Sequence, residues 1–266
     1  MFNFCSAAGA ETPHLRPRAT PASTQEEWYR FQSLNRPESD SLPDEAVVRV
    51  VSHGVGCSGT LITNNLVLTA HHCMVERDAN GEILNRDLPA SELEVEVGGD
   101  FHPLTRVPVA AVLAPPCGHR GGNGDIAVLV LSRRLNGIPV MSVRLTEPPR
   151  TGERVEPLGF GHCSLSNEKN HSIRHEGGPI DELDATSLSA STSICPGDSG
   201  GPARSSETGE VVGVISAGVM DDNDQTRDAT SFTRLDVWRP LFAGAQQIVD
   251  GSTPAEVPPI SGCERE

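Results

Sequence analysis

Beyond Ala46 the apolar residues come in short runs of Val, Ile, Leu and Thr, each cut off by Gly, Pro or Asn-Gly. Such runs are too brief for helices, and β-branched residues suit a pleated, half-buried surface. The pattern predicts strands over 47–51, 61–62, 66–69, 93–97, 107–113 and 126–131. After the stretch Gly137-Ile138-Pro139 it predicts a second set over 154–158, 188–191, 211–216 and 231–235. Two sets of this kind make two antiparallel barrels of similar size. Only 237–249 has helical spacing, through Trp238, Leu241, Phe242, Ala245 and Ile248. With no repeat at a period of about 20–50 residues, solenoids and propellers are excluded.

Residues 1–44 have a different texture, rich in Pro, Ser, Thr, Glu and Arg without sustained periodicity, and read as a pro-segment or flexible N-terminal arm. The remainder divides into a domain over 45–250 and a tail over 251–266. Within the domain, barrel one is expected over about 45–137, barrel two over about 138–236 and the helix over 237–249.

A net charge of −15 repels a phosphate backbone and leaves no basic stripe, so nucleic acid is excluded as a partner. The longest apolar run, 126–131, is far short of the roughly 20 residues a bilayer requires, and no membrane span is expected. Met1-Phe2-Asn3-Phe4-Cys5 lacks the basic flank and long apolar stretch of a signal peptide. The signal is expected to have been trimmed, or the gene start mis-called. Seven cysteines, several closely spaced, point to an oxidising compartment and hence to a secreted protein.

Three islands carry chemistry. The first runs from Cys57-Ser-Gly-Thr-Leu to Thr-Ala-His71-His72-Cys73. A histidine pair taken alone is a surface or core feature or a pair of metal ligands. No His-x-x-x-His helix and no further ligands stand nearby in the chain, so no metal site is predicted. The second, Asn123-Gly124-Asp125-Ile-Ala-Val-Leu, puts a carboxylate at the mouth of a buried strand, where a lone Asp reads first as a turn residue or strand cap. The third, Cys195-Pro-Gly-Asp-Ser199-Gly-Gly-Pro202, needs its glycines for a tight turn that aims the N–H groups of Gly197 and Ser199 at one point, an oxyanion hole. Elsewhere, Asp78-Ala-Asn80-Gly81-Glu82 reads as an Asn-Gly turn rather than a calcium loop.

In the order His72, Asp125, Ser199, these islands resemble the chymotrypsin/trypsin-like serine peptidases, and the chain looks like a bacterial member. The resemblance covers about residues 46–245 and includes Gly159-Phe-Gly161 and Val212-Gly-Val-Ile-Ser216-Ala-Gly218. It implies an all-β, trypsin-like fold of two six-stranded antiparallel Greek-key barrels with a C-terminal helix. It implies a serine endopeptidase with Ser199 as nucleophile and Asp125 orienting the base. The family motif places that base directly before the Cys, at His72 rather than His71, and bridges Cys57 to Cys73. Polypeptide substrates would pair with the edge formed by Ser216 and Gly218. Proteinaceous inhibitors are the other expected partners, and no cofactor is expected.

The family's register puts Ser193 at the floor of the primary pocket, where trypsin-like members carry Asp, with Gly218 and Thr230 as walls. A neutral floor implies a preference for medium apolar residues. Asp228, within the acidic run Asp221, Asp222, Asp224 and Asp228, is the alternative that would favour Arg or Lys. The chain departs from the family in two respects. No Ile-Val-Gly-Gly-like start is present to pair with Asp198, which leaves open whether a new amine or an internal cation meets it. With no Cys between Gly218 and the tail, Cys163 becomes the natural partner of Cys195, and Cys117 with Cys263 would pin the tail to barrel one, leaving Cys5 odd. The alternative function is a catalytically idle barrel of the same fold, kept for binding or regulation.

Overall fold

The computed structural model describes residues 43–52, 55–78, 80–98, 103–161, 173–174, 176–220 and 226–263. The expected N-terminal arm therefore falls almost wholly outside the described residues. Barrel one is a closed ring of β1 (Val47–Ser52), β2 (Val55–Thr63), β3 (Leu66–Thr69), β6 (Glu94–Val97), β7 (Thr105–Leu113) and β8 (Ala127–Leu131). Its order is β1-β2-β3-β8-β7-β6, with β6 returning to β1. Two strands of a side ribbon, β4 (Val75–Arg77) and β5 (Ile83–Asp87), lie between β3 and β6 in the chain. Their side chains are mostly exposed, so no apolar alternation announces them in the sequence.

Barrel two contains β9 (Arg154–Gly159), β10 (Ile173–Arg174), β11 (Gly178–Leu183), β12 (Ser187–Ala190), β13 (Pro202–Ser205), β14 (Val211–Met220) and β15 (Thr226–Arg234). Its order is β10-β9-β11-β12-β15-β14-β13, and β13 pairs back to β9. Setting aside β10, which adds to β9, the ring again has six strands. Counted along the chain, both rings follow the order first, second, third, sixth, fifth, fourth. The two-barrel fold expected from the sequence is the one observed.

The alternation that suggested strands is the alternation that builds the core. In β7, Val107, Val109, Ala111 and Leu113 point inward while Arg106, Pro108 and Ala110 point out. In β8 every residue is buried, as befits a strand covered on both faces. Barrel two closes over Val155, Ile180, Leu188, Val212, Ile215 and Phe232. Strands β14 and β15 run past the limits read from sequence, to Met220 and back to Thr226, because backbone pairing continues there through a bulge rather than through apolar side chains.

The helix α1 (Arg239–Val249) carries Pro240 in its first turn, where a missing N–H costs nothing. Its buried face, Leu241, Phe242 and Ala245, joins the core of barrel one together with the preceding Trp238. Leu241 and Phe242 each contribute roughly 1.5–3 kcal/mol on burial. The chain thus leaves barrel two and ends packed on barrel one, which fastens the two together.

Candidate active site

The first group of the site comes from barrel one. After β3 the chain makes a 3-10 turn, His71–Met74, tied to β2 by a disulfide between Cys57 and Cys73. Asp125 sits just before β8, is fully buried, and reaches that turn twice. Its Oδ1 accepts the backbone N–H of His72 at 2.9 Å, and its Oδ2 lies 2.8 Å from His72 Nδ1. An ionised carboxylate only accepts, so Nδ1 carries the proton and the Nε2 lone pair of the neutral ring is left available. The backbone bond fixes the turn while the side-chain bond fixes the ring.

Barrel two supplies a third bond to the same carboxylate. Between Ile215 and Ala217 the pairing of β14 with β15 shifts by a bulge, and the intervening Ser216 is turned out of the ladder. Its hydroxyl donates to Asp125 Oδ2 at 2.5 Å and accepts the N–H of Gly122 at 3.3 Å. Sequence reasoning gave Ser216 to the substrate edge only; this second engagement exists only once the barrels meet.

Ser199 lies on the loop between β12 and β13, partly exposed. Asp198, fully buried beside it, straps the loop: Oδ1 accepts Gly161 N–H and Oδ2 accepts Cys195 N–H, each at 2.7 Å. Gly197 has φ +100° and Gly200 φ +85°, the left-handed region that favours glycine. A Cβ at Gly200 would also fall 2.2 Å from Thr69 Oγ1. Among the described residues, neither the N–H of Gly197 nor that of Ser199 donates to a protein acceptor, so both remain available for an anion.

The role of Ser58 was missed by sequence reasoning: it lies in the first island beside Cys57, but nothing in that segment shows that its hydroxyl reaches Phe160 and Gly197. Fully buried on β2, it donates its N–H to the carbonyl of Ser199 at 2.8 Å and accepts Thr69 Oγ1 on its own carbonyl at 2.8 Å. Its hydroxyl donates to the carbonyl of Gly197 and accepts the N–H of Phe160, both at 2.8 Å. One residue of barrel one thus holds both ends of the Gly197–Ser199 turn.

The residues expected to line the pocket lie near one another. Thr230 is fully buried, pairs with Gly218 across the sheet, and donates its hydroxyl to the carbonyl of Thr192 at 3.1 Å, next to Ser193. Ser193 is partly exposed, and its N–H donates to Glu176. Asp221, Asp222, Asp224 and the side chain of Asp228 lie outside the described residues.

Cys195 is disulfide-bonded, and Cys163, its expected partner, lies outside the described residues. A disulfide joins Cys117 to Cys263. Cys57, His72 and Cys73 cluster as metal ligands might, but the bridge between the two sulfurs removes both thiolates. A second cluster surrounds His71, which engages Asp87 and Cys117 instead of Asp125. Burial and the neighbouring His71 hold His119 below its ordinary value, against the opposing pull of Asp87. Burial raises Asp87, but its bonds and charge contacts with the two imidazoles bring it below the usual carboxylate range. At Asp78, hydrogen bonds from the N–H groups of Glu82 and Asn80 close the turn between β4 and β5 and likewise lower the carboxyl.

Comparison with known proteins gives a consistent set of matches. A family model described as Trypsin matches residues 35–240. Trypsin iota of Drosophila melanogaster is 28% identical over 191 residues, covering 63% of this chain and 71% of that protein. The cercarial protease of Schistosoma mansoni is 30% identical over 199 residues, covering 61% and 70%. The structure of neuropsin, a serine protease expressed in the limbic system of mouse brain, superposes with a TM-score of 0.59 at 18% identity, covering 78% of this chain and 97% of that one. These relatives are animal proteins, so the bacterial appearance read from the sequence is not supported.

Proposed function

The chain belongs to the trypsin family of serine proteases and is a serine endopeptidase, and from that premise we propose how its own residues cut a peptide bond. Ser199 Oγ attacks the scissile carbonyl while His72 Nε2 takes its proton, and the same proton then passes to the leaving amine. Asp125 holds the tautomer and stabilises the imidazolium that forms. The N–H groups of Gly197 and Ser199 receive the oxyanion, a contribution of about 2.7–4 kcal/mol per donor. Water then releases the acyl group from Ser199. The observation that carries this reading is the buried Asp125 taking both N–H groups of His72.

For specificity, the reading places Ser193 at the pocket floor and Gly218 and Thr230 at its walls, with Ser216 and Gly218 on the edge along which extended peptide pairs. A cation entering a neutral, desolvated pocket loses hydration worth several kcal/mol with no carboxylate to replace it, whereas a Leu-sized group gains roughly 1.5–3 kcal/mol. The pocket therefore takes medium apolar side chains on the acyl side of the cut. Bridged cysteines support secretion into an oxidising compartment. We read residues 1–44 as a pro-segment or N-terminal arm and 45–250 as the domain proper.

The test is kcat/KM for matched Leu and Arg peptides with the parent protein and with Ser199→Ala. The expected result is a Leu preference in the parent and a loss of turnover of about 10⁵–10⁶ in the variant. An Arg advantage above about tenfold overturns the neutral floor and points to Asp228. Turnover by Ser199→Ala near the parent rate overturns the mechanism, and a parent that shows no turnover even after residues 1–44 are removed marks an idle binding protein.

A further inference from the structure

We infer that His71, Asp87 and His119 form a binding site for a divalent transition metal of the zinc type, set between the turn that carries His72 and the loop that leads to Asp125. His71 Nε2 is 2.8 Å from Asp87 Oδ1, and His119 Nε2 is 3.2 Å from the same oxygen. The two rings lie 4.3 Å apart, tilted by 43°. All three donor atoms fall within 4.8 Å of one another. Zinc holds imidazole nitrogen and carboxylate oxygen at about 2.0–2.2 Å, which in a tetrahedron separates ligands by about 3.3–3.5 Å. A small outward movement of Asp87, whose side chain is 46% exposed, seats an ion.

His71 separates this cluster from a chance grouping of polar side chains. It is fully buried, and its Nδ1 lies 2.6 Å from the carbonyl oxygen of Cys117. A carbonyl only accepts, so Nδ1 carries the proton and Nε2 of the neutral ring presents a lone pair. Without a second proton, that lone pair meets a carboxylate oxygen, acceptor to acceptor, at hydrogen-bonding distance. Either a proton on Nε2 or a metal ion between the two resolves that contact, whereas His119 can donate to Asp87 from a neutral ring. A metal ion accepts one lone pair from each imidazole and one from the carboxylate. Metal-bound histidines ordinarily donate their other ring N–H to a carbonyl or carboxylate, which is the arrangement at Cys117. Exposure of Asp87 leaves the fourth position to water.

The ligands come from the turn after β3, the end of β5 and the loop before β8, so no spaced motif reveals them in the sequence. Their placement gives the metal a role in the architecture of the site. Cys117 is bonded to Cys263, and the loop it begins leads to Asp125. An ion on His71 and His119 therefore ties the segment that holds His72 to the segment that holds Asp125.

The test uses the full chain carrying Ser199→Ala to prevent self-digestion, stripped with a chelator. Zn²⁺ is titrated while Tm is followed, and Co²⁺ while visible absorption is followed. One equivalent should bind, with a Tm rise of about 5 °C or more at a hundredfold excess over Kd and with tetrahedral cobalt bands. His119→Ala and Asp87→Asn should each weaken binding by about tenfold or more while keeping the parent's circular dichroism spectrum. If His119→Ala does not fold, Asp87→Asn carries the comparison alone. A further His72→Ala substitution should keep the cobalt bands. The inference is overturned by the absence of any Tm or absorption response, which leaves a His71–Asp87 ion pair. It is equally overturned if the response survives in the ligand variants, or if it disappears with His72→Ala, which puts the metal on the base instead.

Discussion

At the scale of single residues, Ser58 does work that its neighbours cannot share. Its hydroxyl lies between Phe160 N–H and the Gly197 carbonyl, and its N–H holds the Ser199 carbonyl. Ser58→Ala leaves the buried Phe160 N–H and the half-buried Gly197 carbonyl without that partner, costing about 1–3 kcal/mol of stability. It also frees the turn that presents Gly197, so kcat should fall by up to about 10²-fold with KM nearly unchanged. A full kcat in Ser58→Ala would show that the turn keeps its shape unaided. The reason Ser58 escaped notice in the sequence is physical. The segments around His72, Asp125 and Ser199 are contiguous motifs, whereas the hydroxyl bonds of Ser58 reach residues 139 and 102 positions away, and that of Ser216 reaches 91.

At the scale of elements, strands with alternating burial such as β7 were legible because their pattern is set by the core they face. The β4–β5 ribbon and β11 were not, since few of their side chains are buried and isolated core positions such as Val75 and Ile180 set no alternation to read. The disulfide between Cys117 and Cys263 links the loop before β8 to the tail that follows α1, across 146 residues. Closing so long a loop in the unfolded chain predicts a stabilisation of about 4–5 kcal/mol. The Cys117→Ser/Cys263→Ser double variant should therefore lose about 10 °C or more in Tm. A variant that melts with the parent would mean that the tail is held by Trp238, Leu241 and Phe242 alone.

At the scale of the whole molecule, two rings with one strand order meet so that His72 and Asp125 come from one and Ser199 and Ser216 from the other. The linker between them is anchored by Arg144, which bonds Glu153, Glu210 and Thr208. Burial raises the Glu153 carboxyl, but bonds from Arg144, Ser205 and the Arg150 N–H, with the Arg144 charge, bring it below its ordinary value of 4.5. A carboxyl lowered by folding contributes stability that is present above its unfolded value and lost as pH falls through the folded one. Tm should thus drop on acidification below about pH 4.5 in the parent and drop less in Glu153→Gln. Equal slopes would remove Glu153 from the acid response.

The central claim, that Ser199 is the nucleophile activated by His72, is tested most directly by trapping it. The protein is treated with a fluorophosphonate and the modified residue is located by mass spectrometry. One equivalent bound to Ser199 Oγ, with labelling slowed by orders of magnitude in His72→Ala, is the predicted result. A label on another residue, or an unlabelled protein that still hydrolyses peptides, would contradict it.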